Sequence, residues 1–550
     1  MSYLSGFQGS NGHIVVTMDQ ALLWTDGRYF LQAEKELGPG WQLMKMMAGV
    51  PRYYEWLTAN SPTGAKIGFD PYLLPGNAAK SRAAAFEKSG LVFVPLEGNL
   101  VNAIWTDRPA LSRELIYRHP EEFTGATMQA KLALLKPTFE TNKAKFLFTS
   151  LLDEIAWILN IRGNDIEYNP VFFAYLLISY SDSAFQCTLF LNPDKVSPDL
   201  LDYLTANQVS VLPYSSVSAH LSALDAPILA DSDELNHALH SLLKSPISTT
   251  QAITKLKGVK NDREVRGMRD CHVRDGRAVV RYLAWLEAQL RAGRRDLTEW
   301  SAALELARLR GEEEHFKGLS FETISAVGEN AAVIHYAPQE STAATISPDF
   351  IYLLDSGGQY LDGTTDITRT VHFGTPTARE KECYTRVLLG NLDLCRLKWP
   401  KGQAGEDMDV LARRWLWAAN LDYNHGTGHG VGYFLNVHEG PHGIGKHWST
   451  PLEVGMHVTD EPGYYEAGSF GIRIEDVLVV KQGEGRFLEF ENITICPYDQ
   501  GLLDLSLLSQ KDIRFINSYH ERVWTLLSAS LGDDQTALEW LRRATSPISS

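Results

Sequence analysis

The chain is poor in cysteine, and the cysteines it has do not form a recognisable framework. Its 550 residues include five cysteines, an odd number, and none has the Cys-x-x-Cys spacing of a zinc or redox motif. The sequence therefore excludes a disulfide scaffold and a thiolate metal site, and we expect reduced thiols in a cytoplasmic protein. These cysteines are Cys187, Cys271, Cys383, Cys395 and Cys496.

Long hydrophobic runs and basic blocks are also missing. The most apolar run, residues 171–178, is far shorter than the roughly 20 residues of a membrane-spanning helix and predicts a buried strand. The first residues, MSYLSGFQGSNG, lack the basic and apolar parts of a signal peptide. A net charge of −16 without any Lys/Arg-rich block argues against a nucleic-acid or anionic-membrane partner.

The pattern of elements divides the chain into three regions, since 550 residues are too many for one core. Residues 1–110 and residues 111–252 each alternate strands and helices, which predicts two α/β domains. Weak similarity between WILNIRGNDI and YLSGFQGSNG indicates a duplicated module, although two unrelated α/β pieces are an alternative. Residues 253–550 begin with a long helix, continue in glycine-rich hairpins and end in helices, which predicts an α+β domain with a helical extension. Asn261 and Glu264 are spaced as a capping box at the start of the long helix, and its apolar residues near one face are Val265, Met268, Val279, Tyr282 and Leu286.

One hairpin carries three aspartates within twelve positions, in LLDSGGQYLDGTTDITRTVHF. Strand-like segments flank it on both sides, so Asp355 and Asp366 stand at the ends of two strands. Asp beside Gly is typical of a turn, and this reading suits Asp362 next to Gly363. The alternative for Asp355 and Asp366 is that they face one another across the hairpin and hold a cation.

A second hairpin, VTDEPGYYEAGSFGIRIEDV, repeats this arrangement with Glu461 and Glu475 on its two sides. Between the hairpins lies HGTGHGVGYFLNVHEGPH, which contains His425, His429 and His438. Four carboxylates with an imidazole form an oxygen-dominated donor set that favours Mn²⁺, Fe²⁺, Co²⁺ or Mg²⁺ over structural zinc. Two divalent ions match four carboxylates better than one ion does, and a bridging hydroxide would be the surplus negative group.

These motifs resemble those of aminopeptidase P, the Xaa-Pro aminopeptidases of the creatinase-like pita-bread metallopeptidase family. The resemblance covers DSGGQYLDGTTDITRTVHFG, HGTGHGVG, LNVHEGP, DEPGYYE and GIRIED, while WTDGRYFLQA, IWTDRP and LDEIAWILNIRG are similar to the long, three-domain cytosolic form. It implies two creatinase N-terminal-like α/β domains followed by a pita-bread catalytic domain. It also implies that the first domain starts partway, because family members carry further chain before YLSGFQGSNG.

The resemblance assigns a role to each acidic residue of the two hairpins. Asp355 would bind one metal ion, and Asp366 and Glu475 would bridge both ions. His429 and Glu461 would bind the second ion. Mn²⁺ is the expected metal, and a homodimer is expected from the same resemblance. Arg473, two residues before Glu475, would orient a ligand carboxylate, although a structural salt bridge explains it nearly as well.

The remaining histidines take different roles under this resemblance. His438 and His335 match positions that contact the scissile carbonyl and stabilise the intermediate, and His425 matches a position near the proline end of the substrate. His442 and His447 are interpreted as ordinary loop residues. Asp26 and Arg28, in WTDGRY, are interpreted as a turn in another domain.

The implied activity is hydrolysis of the bond between an N-terminal residue and a penultimate proline in peptides, with Glu461 accepting a proton from the attacking water. Within the enzyme class the alternative is prolidase, which has the same ligands and takes Xaa-Pro dipeptides. Outside it, the alternative is a non-catalytic binding protein of the same fold. The intact five-ligand set argues against a non-catalytic protein, because such members have lost ligands.

Overall fold

The computed structural model describes residues 1–249 and 251–549, and the chain forms two compact units. The first unit comprises residues 1–121, 126–166 and 171–257, and the second comprises residues 122–125, 167–170 and 258–549. The three-part division expected from the sequence, with limits at residues 110 and 252, remains a prediction.

Strands and helices alternate through residues 1–258. The strands are β1 (His13–Val16), β2 (Ala21–Thr25), β3 (Trp41–Lys45), β4 (Lys66–Phe69), β5 (Val92–Pro95), β6 (Tyr117–Arg118), β7 (Phe146–Thr149), β8 (Ile161–Arg162), β9 (Tyr175–Ser181), β10 (Ala184–Leu191), β11 (Val209–Pro213), β12 (Ile228–Ala230) and β13 (Pro246–Ser248). The helices are α1 (Ser2–Ser5), α2 (Phe30–Glu36), α3 (Tyr53–Asn60), α4 (Gly76–Lys88), α5 (Glu121–Thr124), α6 (Met128–Leu134), α7 (Lys136–Asn142), α8 (Leu152–Leu159), α9 (Pro198–Ala206), α10 (Val217–Ala223), α11 (His237–His240) and α12 (Ala252–Gly258).

Parallel strand pairs characterise the first unit, as expected for α/β structure. A three-stranded sheet runs β1-β2-β3, with β2 and β3 parallel, and β4 pairs with β5 in parallel. A six-stranded mixed sheet has the order β11-β10-β9-β7-β12-β13. Apolar side chains of β7, β9, β10 and β12 pack against α10 and form the core over this larger sheet.

The predicted strand at residues 171–178 starts four residues later than expected, because β9 begins at Tyr175. Backbone groups of the preceding residues are engaged in loop contacts instead of a strand ladder. Asp165 donates its N–H to the Val171 carbonyl at 2.9 Å, and its carboxylate accepts the Phe173 N–H at 2.8 Å. The run is nonetheless buried at every position except Phe173, so its burial was predicted correctly apart from that residue and the strand start was wrong.

Residues 259–549 contain longer helices and antiparallel strands. The strands are β14 (Phe316–Leu319), β15 (Ile324–Val327), β16 (Ile351–Ser356), β17 (Gly358–Tyr360), β18 (Gly363–Thr364), β19 (Ile367–His372), β20 (Lys398–Pro400), β21 (Gly428–Gly430), β22 (Glu439–Ile444), β23 (His457–Asp460), β24 (Gly463–Glu466), β25 (Phe470–Arg473), β26 (Asp476–Gln482) and β27 (Phe487–Asn492). The helices are α13 (Asp262–Arg291), α14 (Glu299–Gly311), α15 (Ala378–Cys395), α16 (Asp409–Trp417), α17 (Gln510–Leu527) and α18 (Gln535–Ala544).

The strands of the second unit form four sheets. Two have three strands, in the orders β14-β17-β18 and β15-β16-β19, and β24 pairs with β25 alone. The largest has the order β20-β27-β26-β23-β21-β22. Helices α13, α14 and α15 pack their buried apolar side chains against β16, β19 and β25, so the strands that carry the acidic motifs rest on the main core.

Helix α13 begins at the predicted capping box. The Asn261 side chain accepts the N–H groups of Arg263 at 2.9 Å and Glu264 at 3.0 Å, and the Glu264 carboxylate accepts the Asn261 N–H at 3.0 Å. The predicted apolar face of the helix is buried at Met268, Val279, Tyr282 and Leu286, in agreement with the periodicity. Among the residues described, no helix combines the length and apolar character that crossing a bilayer requires.

Replacing Asn261 with alanine should loosen the first turn of α13. The Glu264 N–H would lose its acceptor, at a cost of about 1 kcal/mol to the helix end. We expect faster amide hydrogen exchange in a peptide covering residues 262–270, with unchanged exchange in the first turn of α17, which Ser509 caps. Asn261→Asp should restore protection, and equal exchange in the wild type and Asn261→Ala would contradict the role of the cap.

Candidate metal centre

The first acidic hairpin brings Asp355 and Asp366 to the same end of a strand pair. Asp355 lies in β16 opposite Thr368 of β19, and Asp366 directly precedes β19. The segment between them leaves this sheet and forms the β17–β18 pair of the neighbouring sheet. Asp362 lies in the turn of that pair and forms an ion pair with Arg274, as a turn residue outside the acidic centre.

The second acidic hairpin is joined to the first through Thr368. Glu461 directly follows β23, and Glu475 lies between β25 and β26. The Glu475 N–H donates to the Thr368 carbonyl at 3.1 Å, and the Thr368 hydroxyl donates to the Glu475 carboxylate at 2.7 Å. These bonds hold Glu475 beside the strand that begins after Asp366.

His429 lies on β21 and faces both hairpins. Its Nε2 is 3.5 Å from an Asp366 oxygen and 3.6 Å from a Glu461 oxygen, while its Nδ1 contacts the Gly430 carbonyl at 2.9 Å. Donation from Nδ1–H to that carbonyl leaves the Nε2 lone pair directed at the acids, which is the tautomer a metal ligand needs. Ligand atoms of Asp366, His429 and Glu475 all lie within 4.8 Å of one another.

The centre concentrates negative charge away from water. Burial, with repulsion from Asp366, raises the pKa of Asp355 to about 6, despite the opposing charge of Arg473. Burial likewise raises the pKa of Glu461 to about 7, and burial with repulsion from the other three acids raises the pKa of Glu475 well above its ordinary value. Burial of the His429 ring disfavours its charged form, but Asp366 and Glu461 outweigh this and raise its pKa to about 9.

These residues fit divalent metal ions. Their donors are carboxylate oxygens and one imidazole nitrogen, a set suited to hard or borderline cations. Within the described part of the chain, the buried Oδ1 atom of Asp355 has no hydrogen-bond partner, which fits an oxygen that binds a cation. Cations at this centre would relieve the repulsion that raises the carboxylate pKa values.

Arg473 contacts the centre from β25. Its guanidinium donates to the Asp355 carboxylate at 2.7 Å and to the Tyr465 hydroxyl at 2.7 Å. The two interpretations from the sequence describe this same contact, since a buried salt bridge to Asp355 also orients that carboxylate. Tyr465 was not singled out by the sequence, although it lies within the DEPGYYE motif.

The histidines predicted to contact substrate lie near residues of the centre or near one another. The His438 ring meets the His429 ring edge to face, with centroids 4.2 Å apart, and His438 is exposed. The Nε2 atom of His425 is 2.9 Å from the Tyr465 hydroxyl. Burial, the Arg473 charge and the nearby His335 are among the causes that lower the pKa of His425 well below its usual value.

The two histidines interpreted as ordinary residues do not belong to this group. His442 lies in β22 and not in a loop as expected; it is buried, and its Nε2 atom contacts the His457 carbonyl at 2.7 Å. His447 is in a loop with a positive φ of 78°. Thr368 is a second contact, after Tyr465, that sequence reasoning missed, because a threonine within a strand carries no local signal of binding.

Comparison with known families matches four segments of the chain. A model of the metallopeptidase family M24 matches residues 266–482, and a model of its C-terminal region matches residues 486–548. Two models of the creatinase/prolidase N-terminal domain match residues 1–104 and 107–264.

Full-length relatives agree with these matches. Proteins described as probable Xaa-Pro aminopeptidase P from Talaromyces marneffei and Phaeosphaeria nodorum are 42% and 43% identical, each over 99% of this chain, covering 86% and 87% of their own lengths. The chain therefore belongs to the M24 metallopeptidases, among the aminopeptidase P group. The expected fold, creatinase N-terminal-like α/β domains followed by a pita-bread domain, is confirmed.

Solved structures extend the comparison to three dimensions. An X-prolyl aminopeptidase from Caenorhabditis elegans, described as a cytosolic enzyme with a di-nuclear active site, has a TM-score of 0.96 and 37% identity, over 100% of this chain and 92% of that one. A Bacillus anthracis Xaa-Pro dipeptidase has a TM-score of 0.54 and 24% identity, over 68% of this chain and 99% of that one. The second likeness shows the fold alone.

The metal-free protein should lose stability as the pH rises. Asp355, Glu461 and His429 have pKa values raised to about 6, 7 and 9, so the folded state holds more protons than the unfolded state. Their stabilising effect is present on the acid side and is lost as the pH rises through these values. We expect the thermal midpoint of chelator-treated protein to fall between about pH 6 and about pH 9.

Added Mn²⁺ should stabilise the protein more at the alkaline end of this range, because the ligands must lose protons to bind it. Scanning fluorimetry with and without Mn²⁺ measures both effects. Glu475→Gln removes one buried acid and should flatten the metal-free profile. A flat profile for the metal-free wild type would contradict the electrostatic account of the centre.

Proposed function

We propose that this protein is a metal-dependent aminopeptidase that releases the N-terminal residue from peptides whose second residue is proline. The observation that supports the proposal is that ligand atoms of Asp366, His429 and Glu475 lie within 4.8 Å of one another, with a Glu461 oxygen 3.6 Å from His429 Nε2. Relatives that are 42% identical over nearly the whole chain are described as probable Xaa-Pro aminopeptidases, which gives the substrate class.

The five residues would hold two divalent ions. Asp355 would bind one ion, His429 and Glu461 the other, and Asp366 and Glu475 would bridge the pair. When bound, such a pair supplies a hydroxide nucleophile at neutral pH and polarises the substrate carbonyl. The di-nuclear site described for the C. elegans enzyme supports the number of ions.

Residues of the chain itself would handle the protons and the substrate. Glu461 accepts the proton of the attacking water on its carboxylate, where burial favours proton uptake. His438 and His335 donate hydrogen bonds to the developing oxyanion. His425 contacts the proline end of the substrate, and Arg473 orients Asp355. A proline nitrogen has no N–H, so recognition must use the ring and not that donor.

Several finer properties are also proposed. Mn²⁺ is the native ion, since the donor set is rich in oxygen. The protein acts in the cytoplasm, which the five free cysteines and the description of the C. elegans enzyme support. It forms a homodimer and is organised as domains 1–110, 111–252 and 253–550.

Asp366→Asn should abolish release of arginine from an Arg-Pro-Pro peptide in the presence of Mn²⁺. Loss of a bridging carboxylate removes a bond to both ions, and even residues that only support a ligand change activity by about 10- to 100-fold. The control is Glu466→Gln, because Glu466 lies in the second hairpin but pairs with Arg379. Equal activity in Asp366→Asn and the wild type would mean that the activity does not come from this centre, and no activity in a metal-loaded wild type would favour a non-catalytic binding protein. Both outcomes count against the enzyme proposal.

Peptide length separates this proposal from prolidase, whose members have the same five ligands. We expect the Mn²⁺-loaded enzyme to cleave Arg-Pro-Pro with a higher kcat/KM than the dipeptide Arg-Pro. Amino-acid analysis of the released arginine measures both reactions under identical conditions. Turnover of Arg-Pro without turnover of Arg-Pro-Pro would assign the chain to the dipeptidases.

A further inference from the structure

A buried arginine bonds to both segments that carry the predicted bridging carboxylates. Arg369 is the third residue of β19, three positions after Asp366, and its side chain is only 1% exposed. Its Nη1 group donates to the Thr368 carbonyl at 3.0 Å and to the Glu475 carbonyl at 2.8 Å. One planar group therefore ties the backbone after Asp366 to the backbone of Glu475.

The other donors of Arg369 extend this connection. Nη2 donates to the Asp476 carboxylate at 2.8 Å, and Nε donates to the Cys496 carbonyl at 3.1 Å. Asp476 also accepts the Tyr498 hydroxyl at 2.7 Å. The residue next to Glu475 is thus fixed by charge and by hydrogen bonds, and the two carboxylates face a common centre from a shared backbone support.

Helix α17 contributes to the same cluster through Tyr519. The Tyr519 hydroxyl accepts a hydrogen bond from Arg369 Nη2 at 2.9 Å. Its single hydrogen has two acceptors in reach, the Cys496 carbonyl at 2.9 Å and the Thr494 carbonyl at 3.0 Å. Its ring stacks on Tyr498 with centroids 4.8 Å apart. A helix near the C-terminal end therefore holds the arginine that joins the two ligand segments.

We propose that Arg369 is a positioning residue that sets the spacing of Asp366 and Glu475 across the two-metal centre, and that Tyr519 of α17 holds Arg369 in that orientation. The inference deepens the proposed function and rests on it, because a fixed spacing of these carboxylates is needed only if both bridge a pair of ions. Arg369 contacts neither carboxylate directly and acts through the backbone that carries them.

Arginine is required here because its donors form a rigid planar fork. A lysine ammonium keeps the charge that compensates Asp476, but it is a single point that cannot reach the Glu475, Cys496 and Thr368 carbonyls together. Arg369→Lys therefore retains the buried ion pair while it removes the geometric link. Arg369→Lys therefore tests the positioning role without the large loss of stability expected of a neutral substitution, which would leave the Asp476 charge buried and unpaired.

The test uses full-length protein, stripped of metal and titrated with Mn²⁺ alone by calorimetry and electron paramagnetic resonance. We expect the wild type to bind two ions and to show the spectrum of a coupled Mn²⁺ pair. Arg369→Lys should bind the second ion about 10- to 100-fold more weakly and lose the coupled spectrum. For Arg-Pro-Pro at equal metal, kcat should fall while KM stays within about threefold.

The matched control is Arg310→Lys. Arg310 is fully buried and forms an equivalent two-pronged bond to Asp275, at 2.9 and 3.0 Å, which joins α14 to α13. This variant should lose stability but keep two-ion binding and the coupled spectrum. Equal losses of metal affinity in the two variants, or wild-type affinity and spectrum in Arg369→Lys, would overturn the proposal.

Tyr519→Phe keeps the test decisive if Arg369→Lys does not fold. It retains the stacked ring and removes the hydroxyl, so second-ion binding should weaken in the same direction but less than in Arg369→Lys. Unchanged Mn²⁺ binding and spectrum in a folded Tyr519→Phe would count against the role of α17. A wild type that binds no ion pair or leaves Arg-Pro-Pro intact contradicts the proposed function, whereas an active wild type with unaffected variants contradicts only this inference.

Discussion

Repulsion among four carboxylates is the constraint on which the second unit depends. Asp355, Asp366 and Glu475 are buried, and Glu461 is half-buried beside them, so water screens their charges poorly. A buried charge without a partner is costly. A fold can maintain such a cluster only if stronger contacts elsewhere hold the strands in place. Here the antiparallel sheets and the helical core beneath them supply those contacts. Protons on the acids, or bound cations, would relieve the remaining repulsion.

The two acidic hairpins meet this constraint in a similar way. In each, the segment between the acids leaves as a short strand pair, β17–β18 or β24–β25, so that the flanking acids remain side by side at the mouth of the hairpin. The Thr368 backbone and hydroxyl then join one hairpin to the other through Glu475. Backbone pairing, and not the flexibility of side chains, therefore sets the distances between the acids across the centre.

The sequence predicted those features that depend on residues close together in the chain. The cap of α13 was readable because Asn261 and Glu264 are neighbours, and the acidic motifs were readable because each stands beside its own turn. The predicted start of β9 was wrong because the Phe173 N–H donates to the Asp165 carboxylate and not to a neighbouring strand. The apolar pattern of the run gives no sign of this contact. The contacts of Arg369 were unreadable, since Glu475 and Tyr519 are 106 and 150 residues away along the chain.

The two buried arginines near the centre, Arg369 and Arg473, have different partners and therefore different effects on the net charge of the centre. Arg369 neutralises Asp476 and contacts none of the four carboxylates of the centre, whereas Arg473 neutralises one of them, Asp355. With His429 neutral, one divalent ion would leave the buried centre negative. Two ions would leave it one positive charge in excess, which a single hydroxide balances. A metal pair with an anionic nucleophile is therefore the occupancy at which this buried centre is neutral.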